Sequence, residues 1–189
     1  GKSEPLLNID MLKRVSPLFK DFPMEIQTNG LLLTQDNISN LFTYNFDTIA
    51  ISIDSMKQME KIFEKVPLIR SFGMTVRLTI NLVQDILEAG DVQFYLDLLE
   101  ENNIDQVSFR SIVIPTSAVN TEESIKAQTW IKNNIDPNRA NVFMNSYLKI
   151  LEERGVKVRD VRTGAWQHAT YMYKGMSCMA FPYCVQDLN

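Results

Sequence analysis

Cysteine is scarce in this chain, with only Cys178 and Cys184 among 189 residues. Two cysteines cannot form a disulfide framework and a chain of this length does not need one, so a reducing, cytoplasmic setting is expected. Histidine is scarcer. With His168 alone, a histidine-rich metal site within the chain is excluded. No Gly-x-Ser-x-Gly elbow accompanies that histidine to make a nucleophile triad, and His168 reads as structural. There is no glycine-rich phosphate loop, which counts against a nucleoside-triphosphate enzyme. No run of about eighteen apolar residues occurs, so no membrane span is expected. Basic residues are outnumbered, 19 Lys and Arg against 23 Asp and Glu, and the net charge of -4 argues against nucleic acid as a main partner.

What is present is a 45% hydrophobic chain of the right size for one core, so a single domain over residues 1–189 is expected. Its apolar pattern alternates between two periods. Short alternating runs at Met24 to Asn29, Thr48 to Asp54, Met74 to Asn81 and Gln106 to Ile114 read as strands. Helical spacing separates them. Asn8 or Asp10 can cap a first helix that ends at Asp21-Phe22-Pro23, and Asp36-Asn37 opens a second. Ser55 or Asp54 caps a third, which Pro67 breaks or kinks, and a fourth spans about Gln93 to Glu101. Successive strands begin on the order of 25 to 30 residues apart, the length of one βα repeat. The expected architecture is therefore an α/β fold built on parallel strands, open or curved into part of a barrel, over residues 1–116. Residues 117–189 differ. Two helices, about Thr121 to Asn134 and Asn138 to Arg154, precede a strand at Val156 to Val161, and the tail from Trp166 to Tyr183 reads as a β-hairpin turning at Lys174-Gly175.

Parallel sheets and barrels bind ligands at the carboxyl ends of their strands. Thr28, Asn29, Ser52 and Asp54 close the first two strands with polar side chains and are the first candidates for a site. Arg77 and Arg110 lie within otherwise apolar strands, where an unpaired buried cation is costly. Each either faces an anionic ligand, forms a structural ion pair or lies on an exposed sheet face. Arg77 shares its face with Thr79 and Asn81.

In order along the chain, Gly1-Lys2-Ser3-Glu4-Pro5, Glu25-Ile26-Gln27-Thr28-Asn29-Gly30, Ile49-Ala50-Ile51-Ser52-Ile53-Asp54 and Val76-Arg77-Leu78-Thr79-Ile80-Asn81 resemble the later strands of the radical S-adenosylmethionine (SAM) enzymes. In that family a Gly-Gly-Glu-Pro segment ends the second strand, Thr-Asn-Gly the third, Ser-Ile-Asp-Gly or similar the fourth, and a polar residue often closes the fifth. Here Lys2-Ser3 stands before Glu4, and Ser55 follows Asp54. The resemblance covers roughly Gly1 to Pro115. It implies a TIM-barrel-like partial (β/α) barrel with a C-terminal helical and hairpin extension. It also implies SAM bound by Glu4 at its amino group, by Ser52 and Asp54 at its carboxylate or ribose, and by Asn81 at the neighbouring strand end, with Thr28, Asn29, Arg77 and Arg110 as further contacts.

The family holds a [4Fe-4S] cluster on three cysteines near its first strand, and that motif is not among these residues. With no initiator Met, the chain reads as the later part of a full-length cytoplasmic iron-sulfur enzyme, of oxidoreductase, lyase or activating type, and inactive alone. Its substrate, a small molecule or a peptide or protein, is not specified by any motif. A raw sheet edge left by truncation would favour association with another chain. Cys178 and Cys184 are open to three roles: buried thiols, auxiliary-cluster or zinc ligands completed from elsewhere, or oxidisable thiols. Two other functions fit the same sequence: a non-redox α/β domain binding a small anion or a protein partner, and a degenerate family member acting as a scaffold.

Overall fold

The computed structural model describes residues 4–112, 121–163 and 166–180. Four strands, β1 (Glu25–Thr28), β2 (Thr48–Ile53), β3 (Thr75–Asn81) and β4 (Gln106–Arg110), lie side by side in chain order and all run parallel. Three more follow in sequence: β5 (Val156–Thr163), β6 (Trp166–Tyr173) and β7 (Met176–Ala180). The sheet order is β1-β2-β3-β4-β7-β6-β5. The expected hairpin is present, but it is an integral part of the sheet and not an appendage. Its second arm, β7, pairs in parallel with β4, and β6 runs antiparallel between β7 and β5. The order is linear, with β1 and β5 at its two ends.

Eight helices are found among the described residues: α1 (Ile9–Val15), α2 (Gln35–Thr43), α3 (Met56–Phe63), α4 (Val66–Ser71), α5 (Gln84–Ala89), α6 (Val92–Glu101), α7 (Glu122–Asn134) and α8 (Pro137–Arg154). Side chains that stop the backbone from pairing elsewhere set several of their starts. Asn8, Thr34, Ser55 and Asp91 each accept a hydrogen bond from the free amide three residues on. The second helix is thus capped by Thr34, two residues earlier than Asp36-Asn37 suggests. Pro67 sits in the first turn of α4, where its missing N–H is not needed, so the break expected there is a new helix start.

The two faces of the sheet differ in chemistry. Ile26, Ile49, Ile51, Ile53, Val76, Leu78, Ile80, Val107 and Phe109 are buried in one cluster with Ile38, Leu41, Met59, Ile62, Leu96, Phe143 and Leu151 of the helices. Burying each such side chain contributes about 1.5–3 kcal/mol. Phe109, Tyr95, Phe143 and Tyr147 meet at 4.9–6.0 Å between ring centroids and tie β4 to α6 and α8. The alternate positions form the other face. Register aligns Gln27, Ala50, Arg77, Gln106 and Ser177 in one row, and Ser52, Thr79, Ser108 and Met179 in the next. The helix-covered face is apolar and this one is mostly polar, as alternation along a strand requires when only one face carries the core.

Two turns depend on backbone conformation that favours glycine. Gly30 leaves β1 at φ +76°, and a Cβ there would lie 2.5 Å from Ile62 Cδ1 of α3. Lys174 and Gly175 take φ +51° and +77°, the paired left-handed geometry of a two-residue hairpin turn.

Candidate functional site

The carboxyl ends of β1, β2 and β3 stand on one rim, and a cleft of about 340 Å³ opens there. Glu4, Thr28, Asn29, Ser52, Thr79 and Arg110 are among the residues lining it. Glu4 is held from three sides. Its Oε1 accepts from Thr28 Oγ1 at 2.7 Å and from Leu6 N at 3.2 Å, and its Oε2 accepts from Asn29 N at 2.9 Å. The first contacts come from β1, and the Leu6 bond caps the 3-10 turn Pro5–Asn8. One carboxylate therefore serves both as a local cap and as the anionic wall of the cleft. An ionised carboxylate offers about four acceptor sites, so one remains for a ligand.

Thr28 is 5% exposed, and its hydroxyl also accepts from Gly30 N at 3.0 Å, which fixes the exit turn. Asn29 uses its own Oδ1 to accept from Leu31 N at 2.9 Å, so its side chain shapes that turn. On β2 and β3, Asn81 Nδ2 donates to Asp54 Oδ1 at 2.5 Å and to Ser52 Oγ at 3.4 Å. Asp54 and Asn81 thus stand beside the cleft and orient Ser52, while Ser52 lines it. Below them, Ser108 Oγ donates to Thr79 Oγ1 at 3.3 Å, and both are nearly buried.

The two arginines part company. Arg110 is exposed and lines the cleft at the carboxyl end of β4. Arg77 lies two residues before Thr79, toward the amino end of the same face, and its guanidinium pairs with Glu25 of β1. The buried-cation problem in β3 is therefore met by a carboxylate two strands away. Among the expected site residues, Glu4, Thr28, Asn29, Ser52 and Arg110 are brought around one cleft, Asp54 and Asn81 support it, and Arg77 is engaged elsewhere.

Gln58 carries no expectation from the strand motifs, yet it touches more of the rim than any residue that does. Its Nε2 donates to Asn29 O at 2.8 Å and to Ser52 O at 2.7 Å, and its Oε1 accepts from Asp54 N at 2.7 Å. A signal for it exists: Ser55-Met56-Lys57-Gln58 is a capping-box pattern, and the Gln side chain reaches back past the cap residue.

Two other polar groups in the core are neutral. Burial, with the nearby Asp85 charge second, holds Tyr95 far above the usual phenol range, and its hydroxyl donates to Ile86 O at 2.6 Å. Burial pushes the Cys178 thiol up to about 11, against a small opposing effect of Tyr147. Cys178 lies on the helix-covered face, in the row of Val107, and is a buried thiol. Cys184 falls outside the described residues. A second depression, about 430 Å³, lies among α5, α6 and α8, where Leu87, Val92, Val142 and Phe143 stand beside Glu88, Asp91, Asn138 and Arg139.

Neither a protein-family model nor a curated protein matches the sequence. Among solved structures, Streptococcus suis SuiB bound to S-adenosylmethionine matches with a TM-score of 0.48 and 16% identity, over 69% of this chain and 35% of that one. SuiB bound to its precursor peptide SuiA matches with 0.47 and 15%, over 69% and 34%. The chain spans about a third of the length of the SuiB chains it matches. A likeness at this level fixes neither reaction nor ligand.

Proposed function

We propose that the rim cleft binds the methionine end of SAM, and that the chain is the later βα portion of a radical SAM partial barrel. The observation that carries this reading is the Glu4 carboxylate, pinned at the carboxyl end of β1 by Thr28 and Asn29 with an acceptor site to spare. An ammonium group is the ligand such an acceptor suits best, since a charge-assisted hydrogen bond is among the stronger polar contacts. Ser52, oriented by Asn81 and Asp54, and Arg110 then offer a hydroxyl and a cation to a carboxylate or ribose. The polar sheet face agrees with this reading, because it lines the cleft with Gln27, Ser52 and Thr79, side chains that suit a polar ligand at the strand ends.

SAM fits the residues present, and in the family it supplies a hydrogen-abstracting radical when its sulfonium is reduced. The [4Fe-4S] cluster does not fit. It needs three thiolates, the sequence has two cysteines, and Cys178 is a buried neutral thiol. No cluster-forming group of three or more His, Cys, Asp or Glu occurs among the described residues. What this chain's own residues do is bind and orient: Glu4 takes the ammonium, Ser52 and Arg110 the oxygen groups, and Gly30 lets β1 turn away without closing the cleft.

Within the same proposal the chain is one domain and works in a reducing cytoplasm, in a protein whose cluster ligands lie outside these 189 residues. Family members that activate enzymes, mature peptides or build cofactors share a SAM-binding rim, so the rim does not select the substrate. A second reading, a small anionic ligand, rests on Arg110, which makes none of the ion pairs found among the described residues.

Calorimetric titration of SAM into the chain tests the first reading. Glu4→Gln should weaken SAM binding by about 1.5–3 kcal/mol, the worth of a hydrogen bond to a charged group. Binding of 5′-methylthioadenosine, which lacks the ammonium, should not change. Equal loss for both ligands would count against the assignment of Glu4, and tight phosphate binding without SAM binding would favour the anion reading.

A further inference from the structure

We propose that Gln58 is a positioning residue that locks the ends of β1 and β2 together so that Asn29 and Ser52, which line the cleft, meet a ligand in one geometry. This role rests on the SAM reading of the cleft.

The β1–β2 ladder ends at the pair Thr28 and Ile51. Asn29, Ser52 and Asp54 lie beyond that pair, where β1–β2 pairing no longer holds the two chains in register. Gln58 takes over at that point. It projects from the first turn of α3, whose cap Ser55 accepts from Gln58 N at 3.2 Å, so its backbone is fixed before its side chain acts. The amide then uses both donors and its acceptor on main-chain atoms of the rim: Asn29 O on one side, Ser52 O and Asp54 N on the other. This network also settles the orientation of the amide, because the two carbonyls require donors and the Asp54 N–H requires an acceptor.

Few side chains can do this. A carboxylate of the same length would set anionic oxygens against two carbonyls. Methionine fills the space but bonds to nothing, and asparagine is one methylene short. Gln58 is half-buried and is not among the residues lining the cleft, so it does not itself present a group to a ligand. Packing supports the same contact, since Ile62 of α3 abuts Gly30 just beyond Asn29.

The test is SAM calorimetry on the wild-type chain and on Gln58→Met and Gln58→Glu at pH 7.5 and pH 5, with thermal unfolding and amide hydrogen exchange alongside. Gln58→Met should bind SAM at least tenfold more weakly, with an unfolding midpoint close to wild type and faster exchange confined to Asp54 and its neighbours. Gln58→Glu should be the weaker binder at pH 7.5 and should recover part of that loss relative to wild type at pH 5, because the two facing carbonyls favour the protonated carboxyl, which restores one of the two donors. Wild-type affinity in Gln58→Met overturns the role of Gln58 while leaving the SAM reading intact. A loss of affinity that tracks a collapse of the unfolding midpoint, with exchange rising throughout β2 and β3, overturns it in favour of a purely structural one. Failure of the wild-type chain to bind SAM overturns the reading of the cleft, and the proposed role with it.

Discussion

Single side chains on the rim do more than one job. Glu4 caps a turn and walls a cleft, Thr28 bonds that carboxylate and the backbone behind it, and Asn81 holds both Asp54 and Ser52. The strand-end residues were legible because polar groups that stop an alternating apolar run are visible in one dimension. The partner of Arg77 was not, because Glu25 stands 52 positions earlier and only the register of three strands brings them together. Gln58 was overlooked for a related reason: a capping pattern announces a helix start, not a contact with two strand ends. Cys178 makes a prediction at this scale. Because burial raises its thiol to about 11, it should resist alkylation by iodoacetamide in the native chain at pH 7.5 and react fully once unfolded. Peptide mapping of Cys178 separates it from Cys184, and rapid native labelling would contradict the burial.

At the scale of elements, the helices with strong apolar stripes were readable and α5 was not. Helix α5 is six residues long and buries only Ile86 and Leu87, too little periodicity to distinguish it from a loop. The hairpin turn was readable from Lys174-Gly175, and the structure adds what anchors it. Lys174 Nζ donates to Asp97 Oδ1 at 2.5 Å and to Glu100 Oε2 at 2.6 Å, fastening the β6–β7 turn to α6. The hydrogen bond from Lys174, and then that from Gln93, holds the Asp97 carboxyl below its ordinary 3.8. The Asp97 and then Glu100 hydrogen bonds raise Lys174 above its ordinary 10.5. A lowered carboxylate stabilises the fold above its ordinary value and loses that effect as the pH falls through its folded value. A raised lysine stabilises below its ordinary value and loses that effect as the pH rises through its folded value. The tether is therefore at full strength between about 4 and 10. Lys174→Asn keeps a residue tolerant of the left-handed turn and removes the charge. Urea unfolding should show a modest loss of stability at pH 7, within the range of exposed ion pairs, and a smaller difference from wild type at pH 3. An identical difference at both pH values would assign the effect to the turn instead.

For the whole molecule, the parallel run β1 to β4 followed from the repeat length; Glu4, Thr28, Asn29, Ser52 and Arg110 stand around one cleft at its rim, while Arg77 pairs with Glu25 instead. Helical coverage of one face alone is also written in the strands, since Ser52, Thr79 and Ser108 alternate with Ile53, Ile80 and Phe109. The place of the C-terminal strands was not written there. Which free edge a hairpin joins is decided by shape and burial across the sheet: β7 lies against β4 because Cys178 and Ala180 complete the apolar face with Val107 and Phe109.

That placement sets an order of assembly. β7 bonds to β4 on one side and β6 on the other, yet it is later in the chain than every other described strand. As the polypeptide is synthesised, β1 to β4 can pair through nearby crossovers while the slot beside β4 waits. The sheet can be joined only when a strand about 70 residues downstream of β4 arrives, and loop closure over that length is slow compared with neighbouring βα pairing. Pulse-labelled hydrogen exchange during refolding should therefore protect amides of β2 and β3 before those of β6 and β7. Until the late strands dock, β4 is a temporary free edge, and a nascent or refolding chain is most open to pairing with a neighbour through that internal gap.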